Sequence, residues 1–283
     1  MFKRLIVPAA VSLLALSPLA LAGAAQAQVG ADLNISPKRV VFDQGERSAT
    51  VYIFNQGDRE ATYTVELVDR VMLPSGEIVA AADRADIAFS SATDFVQYTP
   101  RRITLAPRAS QAIRVRARPA GQGQGEYRTH LTVTALPAET TGFTAEQAAA
   151  TGDEGLSIQV VALFSISIPV ILREGAVDAH AGIENLAVVP SSETGGRPAL
   201  SLDLVRLGAN SVYGDVEVHA GQGSSDRLVA AVRGVAVYPE TPRRAVLIPL
   251  PDTVARGEPV RIVYRDDDVN KGAELATATL LAP

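Results

Sequence analysis

Ser48-Ala-Thr-Val-Tyr-Ile-Phe54, then Asn55-Gln-Gly-Asp58, then Ala61-Thr-Tyr-Thr-Val-Glu-Leu67, decide the fold class. Both runs alternate apolar with small or polar residues. Tyr63, Val65 and Leu67 therefore share one face, and a period of two marks a half-buried strand. The Asn-Gln-Gly-Asp cluster between the runs is turn chemistry. The device recurs at Ala112 to Arg118, with Arg114, Arg116 and Arg118 turned outward, and strands are again expected at Tyr127 to Leu136 and Leu156 to Leu172. Pro74-Ser75-Gly76, Ala106-Pro107 and Gly121 to Gly125 supply turns between these runs. Short strands at such spacing point to a β-sandwich.

After Arg173 a second series begins: Ala199 to Leu207, Tyr213 to His219, Leu228 to Val237, Arg244 to Leu250, Pro259 to Tyr264 and Ala273 to Leu281. The expectation from these runs is an all-β chain of two domains, a β-sandwich over 28–173 and a smaller β domain over 174–283. One helix candidate, Thr144 to Ala150, lies in a connection from Pro137 to Gly155, long for a loop between strands.

Met1 to Ala27 reads as a secretory signal. Lys3 and Arg4 precede an apolar stretch from Leu5 to Ala22, and Ala25-Gln26-Ala27 is a small-x-small cleavage site. A membrane anchor is the rival reading, weakened by Pro8 and Pro18. Cleavage leaves 24 basic against 31 acidic groups, a net charge of −7. That balance makes nucleic acid an unsuited partner. The chain has no cysteine, which excludes disulfides, thiol nucleophiles and Cys-ligated metal. His130, His180 and His219 lack metal-ligand spacing, so no metal is expected. No nucleophile elbow, phosphate-binding loop or dinucleotide fingerprint appears. The reading is of a non-enzyme without a cofactor.

Four stretches carry a family resemblance: Ile35-Ser-Pro-Lys-Arg-Val-Val-Phe42, Val51 to Asn55, Tyr98-Thr-Pro-Arg-Arg-Ile-Thr-Leu-Ala-Pro-Arg-Ala-Ser-Gln-Ala-Ile-Arg-Val115, and Glu126-Tyr-Arg-Thr-His-Leu131 with Ala135-Leu-Pro137. Together, over residues 33 to 173, they resemble the PapD-like periplasmic chaperones of the chaperone–usher pilus pathway. The resemblance implies two immunoglobulin-like β-sandwich domains set at an angle with a cleft between them, in a periplasmic chaperone that binds pilus or fimbrial subunits by lending an edge strand to their incomplete fold. It would then deliver them to an outer-membrane usher, and it could cap itself as a dimer when free. An exported structural or adhesive sandwich module is the alternative, since fold does not fix function.

A lent strand must be long, lie at an edge and carry apolar residues on alternate positions. In Leu156 to Leu172 every even position is apolar. By analogy with the family the donor residues are Ile158, Val160, Ala162 and Phe164. The competing reading is an interior strand whose even face fills its own core, and the half from Ile166 onward is expected to pack at home. The resemblance further implies that Arg39 anchors the subunit's C-terminal carboxylate. The accompanying cleft lysine falls on Pro169, with Arg101 or Arg102 as substitutes. It also implies an interdomain acid–Arg–acid cluster of Glu126, Arg173 and one of Asp266, Asp267 and Asp268, and it places Thr99-Pro100 where the family often has a cis proline.

Overall fold

The computed structural model describes residues 32–43, 45–121, 123–137, 163–190 and 198–282. Met1 to Ala27, read above as a signal, the helix candidate Thr144 to Ala150 and the positions Ile158, Val160 and Ala162 lie outside the described residues. The fold is all-β, with two immunoglobulin-like sandwiches.

The first sandwich runs β1 (Leu33–Ser36), β2 (Val40–Phe42), β3 (Ser48–Asn55), β4 (Ala61–Val68), β5 (Arg70–Met72), β6 (Ile78–Ala80), β7 (Val96–Thr99), β8 (Arg102–Leu105), β9 (Ser110–Ala117), β10 (Gly125–Ala135) and β11 (Ser165–Glu174). One sheet has the order β1-β3-β9-β7, and the facing sheet β2-β11-β10-β4-β8. The alternating faces meet as the period of two requires. Val51, Ile53, Tyr63, Val65, Ile113, Val115, Leu131 and Val133 are buried in one core. Arg114 and Arg116 on β9, and Arg118 just beyond it, are exposed. Asn55 ends β3 buried. Its Nδ2 donates to the carbonyls of Arg59, Leu105 and Ala106, tying two turns together.

The chain changes sheets between β1 and β2, across Pro37 to Arg39. β1 pairs antiparallel with β3, and β2 pairs parallel with β11 through Val40↔Val170, Val41↔Ile171 and Phe42↔Leu172. The peptide bonds Ser36–Pro37 and Thr99–Pro100 are cis.

The second sandwich contains β12 (Ala181–Pro190), β13 (Pro198–Arg206), β14 (Val212–Ala220), β15 (Arg227–Val237), β16 (Arg243–Pro249), β17 (Pro259–Asp266) and β18 (Glu274–Leu281). Its sheets are β12-β13-β16 and β15-β14-β17-β18, closed over a separate core that includes Leu200, Leu202, Val216, Val218, Ile262 and Tyr264. Six of these strands lie where alternation places them. β12 does not announce itself, because its register shifts between Glu184 and Ala187 and Asn185 takes a positive φ of 51°.

The Pro74-Ser75-Gly76 turn joins β5 and β6 into a hairpin. It is an arm that reaches the second sandwich. Met72 and Ile171 pack with Ala236 and Tyr238 in a small apolar cluster of their own. The Ala245 N–H donates to the Pro74 carbonyl at 2.8 Å, and the Met72 N–H donates to Glu240 Oε1 at 2.7 Å. Gly76, at φ +87°, lies so close to Arg244 that a Cβ there would overlap the guanidinium.

Candidate functional site

β10 and β11 run antiparallel with Glu126 directly opposite Arg173 and His130 opposite Pro169. A strand buried on both faces has no solvated side for charge. Glu126 and Arg173 therefore sit on the face turned from the home core, against the second sandwich. Arg173 Nε donates to Glu126 Oε2 at 2.9 Å, and its Nη2 donates to Asp268 Oδ2 at 2.7 Å and to Ser211 Oγ at 3.1 Å. Glu126 Oε2 also accepts the Ser211 N–H. The Arg173 side chain is 1% exposed and Glu126 2%. Burial works against the charge on Arg173, but the two carboxylates outweigh it and raise its pKa.

The three consecutive aspartates divide their tasks. Asp268 joins Arg173. Asp266 is buried and turns inward on its own loop, accepting the N–H groups of Asp268, Val269 and Asn270. Asp267 is exposed, 3.9 Å from Lys271. Asp266 and Asp267 thus do not enter the ion cluster. One caps the turn that presents Asp268, and the other points to solvent.

Arg39 precedes β2 and is drawn into the same cluster. Its Nη2 donates to Asp268 Oδ2 at 2.9 Å, so one carboxylate oxygen serves both Arg39 and Arg173. Its guanidinium lies 4.7 Å from the Tyr213 ring centroid. The Arg39 Nε and Nη1 atoms are buried without a hydrogen-bond partner. Lys38 points away and donates to Asn34 Oδ1. Arg101 and Arg102 do not stand in for the missing lysine. Arg102 lies on β8, the opposite edge of its sheet from β2, roughly 19 Å away by strand spacing.

At Pro169 the chain offers instead His130, which is 3% exposed with Nδ1 unpartnered. Burial, and then the Arg128 and Arg70 guanidinia, push its imidazole down to about 3. The unfolded chain takes up a proton near pH 6.5 that the folded state refuses until about pH 3. Stability from this group is whole above pH 6.5 and is lost as the pH falls towards 3. At pH 5 the loss is about 2 kcal/mol. Urea titrations at pH 7 and pH 5 are expected to show that fall in the native chain and a much smaller one in His130→Gln. Equal falls in both would remove His130 as the cause.

A second buried ion pair, not found from the sequence, joins Arg128 on β10 to Glu240, whose side chains are 4% and 2% exposed. Arg128 also donates to the Arg70 carbonyl, and its guanidinium covers the Tyr238 ring at 3.7 Å. The available signal was the row Glu126, Arg128, His130, three polar side chains on one face of a buried strand.

Along β11 the even face fills the home core from Ile168 to Leu172, with Ile166 packed at its margin. Phe164 is half-buried, and its carbonyl accepts the Ala135 N–H at the last described rung of the β10–β11 ladder. β11 has β10 on one side. On the other side β2 covers only Val170 to Leu172. Among the described residues no strand pairs with the outer edge of Ser165 to Pro169.

Comparison by sequence finds no matching family model and no matching curated protein. Comparison of structures finds similarity to fimbrial chaperones at low identity. The CupB2 chaperone of Pseudomonas aeruginosa is 12% identical, with 88% of this chain and 100% of that chain covered and a TM-score of 0.41. A structure of the Salmonella enterica SafA pilin with the SafB chaperone gives 14%, 88%, 95% and 0.42. The CsuC–CsuE chaperone–tip subunit complex of Acinetobacter baumannii gives 12%, 86%, 98% and 0.44. No helix among the described residues is long and apolar enough to cross a membrane.

Proposed function

We infer that the protein is a periplasmic chaperone for pilus-type subunits, lending them the strand that runs into β11 and passing them to an outer-membrane usher. The observation that carries this reading is the step in the edge of β11. β2 runs parallel to β11 and its ladder begins at Val40, opposite Val170. Arg39 stands one residue before it, where the edge of β11 becomes unpaired. A foreign strand continuing the line of β2, parallel to β11, would end against Arg39. Its terminal carboxylate would then come to Arg39, whose guanidinium already holds Asp268 and would have to turn its buried, unpartnered Nε or Nη1 toward the newcomer.

In the sequence upstream of Phe164, Ile158, Val160 and Ala162 keep the apolar even spacing of Ile166 to Leu172. The described home strands end there: β10 stops at Ala135. A strand lent from this stretch would bring an apolar face and backbone groups to a sandwich that lacks them. Chain ends anchored at Arg39 set the register, and register matters because a one-residue slip turns every side chain over.

Co-expression tests this. A subunit from the same secretion locus is expected to survive only with this protein and to co-purify as a 1:1 complex. A subunit that stays soluble alone and never co-purifies favours a structural or adhesive module instead. Arg39→Ala is expected to weaken binding more for a subunit with a free C-terminal carboxylate than for an amidated one. Equal loss for both would remove Arg39 as the anchor.

A further inference from the structure

The outward face of the β1-β3-β9-β7 sheet is positive on a chain whose formal net charge is −5. Arg116 stands between Ser48 and Gln97, and Arg114 between Thr50 and Thr99. No acid occupies the outward rows of β3, β9 and β7. Arg47 and Arg118 flank the same end. Arg118 donates through Nε and Nη2 to the Asp94 carbonyl, and Arg47 to the Glu46 carbonyl. Neither they nor Arg114 and Arg116 form a salt bridge among the described residues. In the second sandwich Arg227, Arg233, Arg243, Arg261 and Arg265 all do.

The contrast is informative. Arginines on a solvated sheet face ordinarily cost little and are often paired where acids are at hand. Here four stand together without a carboxylate partner among the described residues. They border an open cavity of about 430 Å³ lined by Arg47, Ser48, Phe95, Gln97, Arg116 and Arg118. At the other end of the face stands Tyr52, 47% exposed.

We propose that this face docks an acidic, extended polypeptide segment. Alternate residues of a strand are about 6.8 Å apart, so Arg114 and Arg116 match carboxylates on every second residue of an extended partner. A guanidinium grips a carboxylate with two parallel hydrogen bonds. The cavity, with the Phe95 ring in its wall, takes the end of the segment. A rigid row at strand spacing with a concave end suits a peptide better than a fluid lipid surface. The proposal does not depend on strand lending, because β9 and β11 belong to different sheets and the face is turned away from the shared core.

The probe is a fluorescent ten-residue peptide of alternating Glu and Thr, acetylated and amidated so that it carries no terminal carboxylate for Arg39. Anisotropy titration against the full mature chain is expected to show binding that weakens as salt rises. The Lys–Thr counterpart should not bind. The double variant Arg114→Glu/Arg116→Glu, at exposed positions and checked for unchanged circular dichroism, should lose affinity at least about tenfold. Arg256→Glu, on the second sandwich, should change it less than about twofold. Undiminished binding in the double variant overturns the proposal. So does failure of the acidic peptide to bind, or binding of phosphatidylglycerol vesicles by this face when the peptide does not bind. Retained peptide binding in a chain that no longer captures subunits leaves this proposal standing and counts against strand lending alone.

Discussion

Aspartate at both Val160 and Phe164 is expected to abolish subunit capture while leaving the protein folded. Each large apolar side chain fully buried in a partner's groove is worth roughly 1.5–3 kcal/mol. A carboxylate in its place must also be desolvated with no counter-charge from an apolar groove. Two such changes remove more than about a thousandfold in affinity by the usual conversion. The home fold should notice little. Phe164 is half-buried and does not join the first core, whereas Ile166 packs against it and Ile168, Val170 and Leu172 are within it. Pull-down of a co-expressed subunit reads capture, and thermal unfolding of the free protein reads the fold. Ile168→Asp provides the contrast, since it should lower the unfolding temperature steeply. Capture that persists in the double variant would falsify the assignment of these positions as the lent face. Loss of capture together with collapse of the fold would show that they serve the home core instead.

The sheets were legible where alternation was clean. β3, β4 and β9 each carry an unbroken period of two, and each lies within two residues of the expected bounds. β12 was missed because its bulge at Asn185 breaks the period in the middle of the strand. β5 and β6, three residues each, are too short to show a period at all. They matter through what they touch in the other sandwich, and such contacts leave no local trace. The cluster of Glu126, Arg173 and Asp268 was reachable only through resemblance, because a strand register brings two of its members together and a distant loop supplies the third. The Arg128–Glu240 pair spans 112 residues and had no resemblance to point to it. Nor did the sequence indicate that Arg39 would share Asp268 with Arg173. That sharing follows from the path of β1 into β2, which crosses between sheets beside the second sandwich.

Replacing Arg173 by methionine is expected to destabilise the protein more than any exposed change, and to do so at the junction. Methionine keeps the apolar stem but removes the charge that holds Glu126 Oε2 and Asp268 Oδ2, on side chains 2% and 11% exposed. Breaking one partner of a buried pair costs about 3–5 kcal/mol, because the remaining charge is left desolvated. Arg39 still faces Asp268, so the heavier cost falls on Glu126, whose other protein partner is the Ser211 N–H. The two cores are separate clusters, held together at the interface by this ion network, the Arg128–Glu240 pair and the small cluster around Met72 and Tyr238. Loosening the network should therefore split unfolding as well as lower it. Calorimetry of the native chain is expected to show one transition, and Arg173→Met two, the lower from the less stable sandwich. The double variant Glu126→Gln/Arg173→Met removes the carboxylate left orphaned and keeps the Arg39–Asp268 pair. It should recover much of the loss if the cost is electrostatic, though not the coupling between sandwiches if the ions fix their arrangement. A single, unshifted transition in Arg173→Met would mean that the apolar contacts and the second ion pair hold the junction unaided.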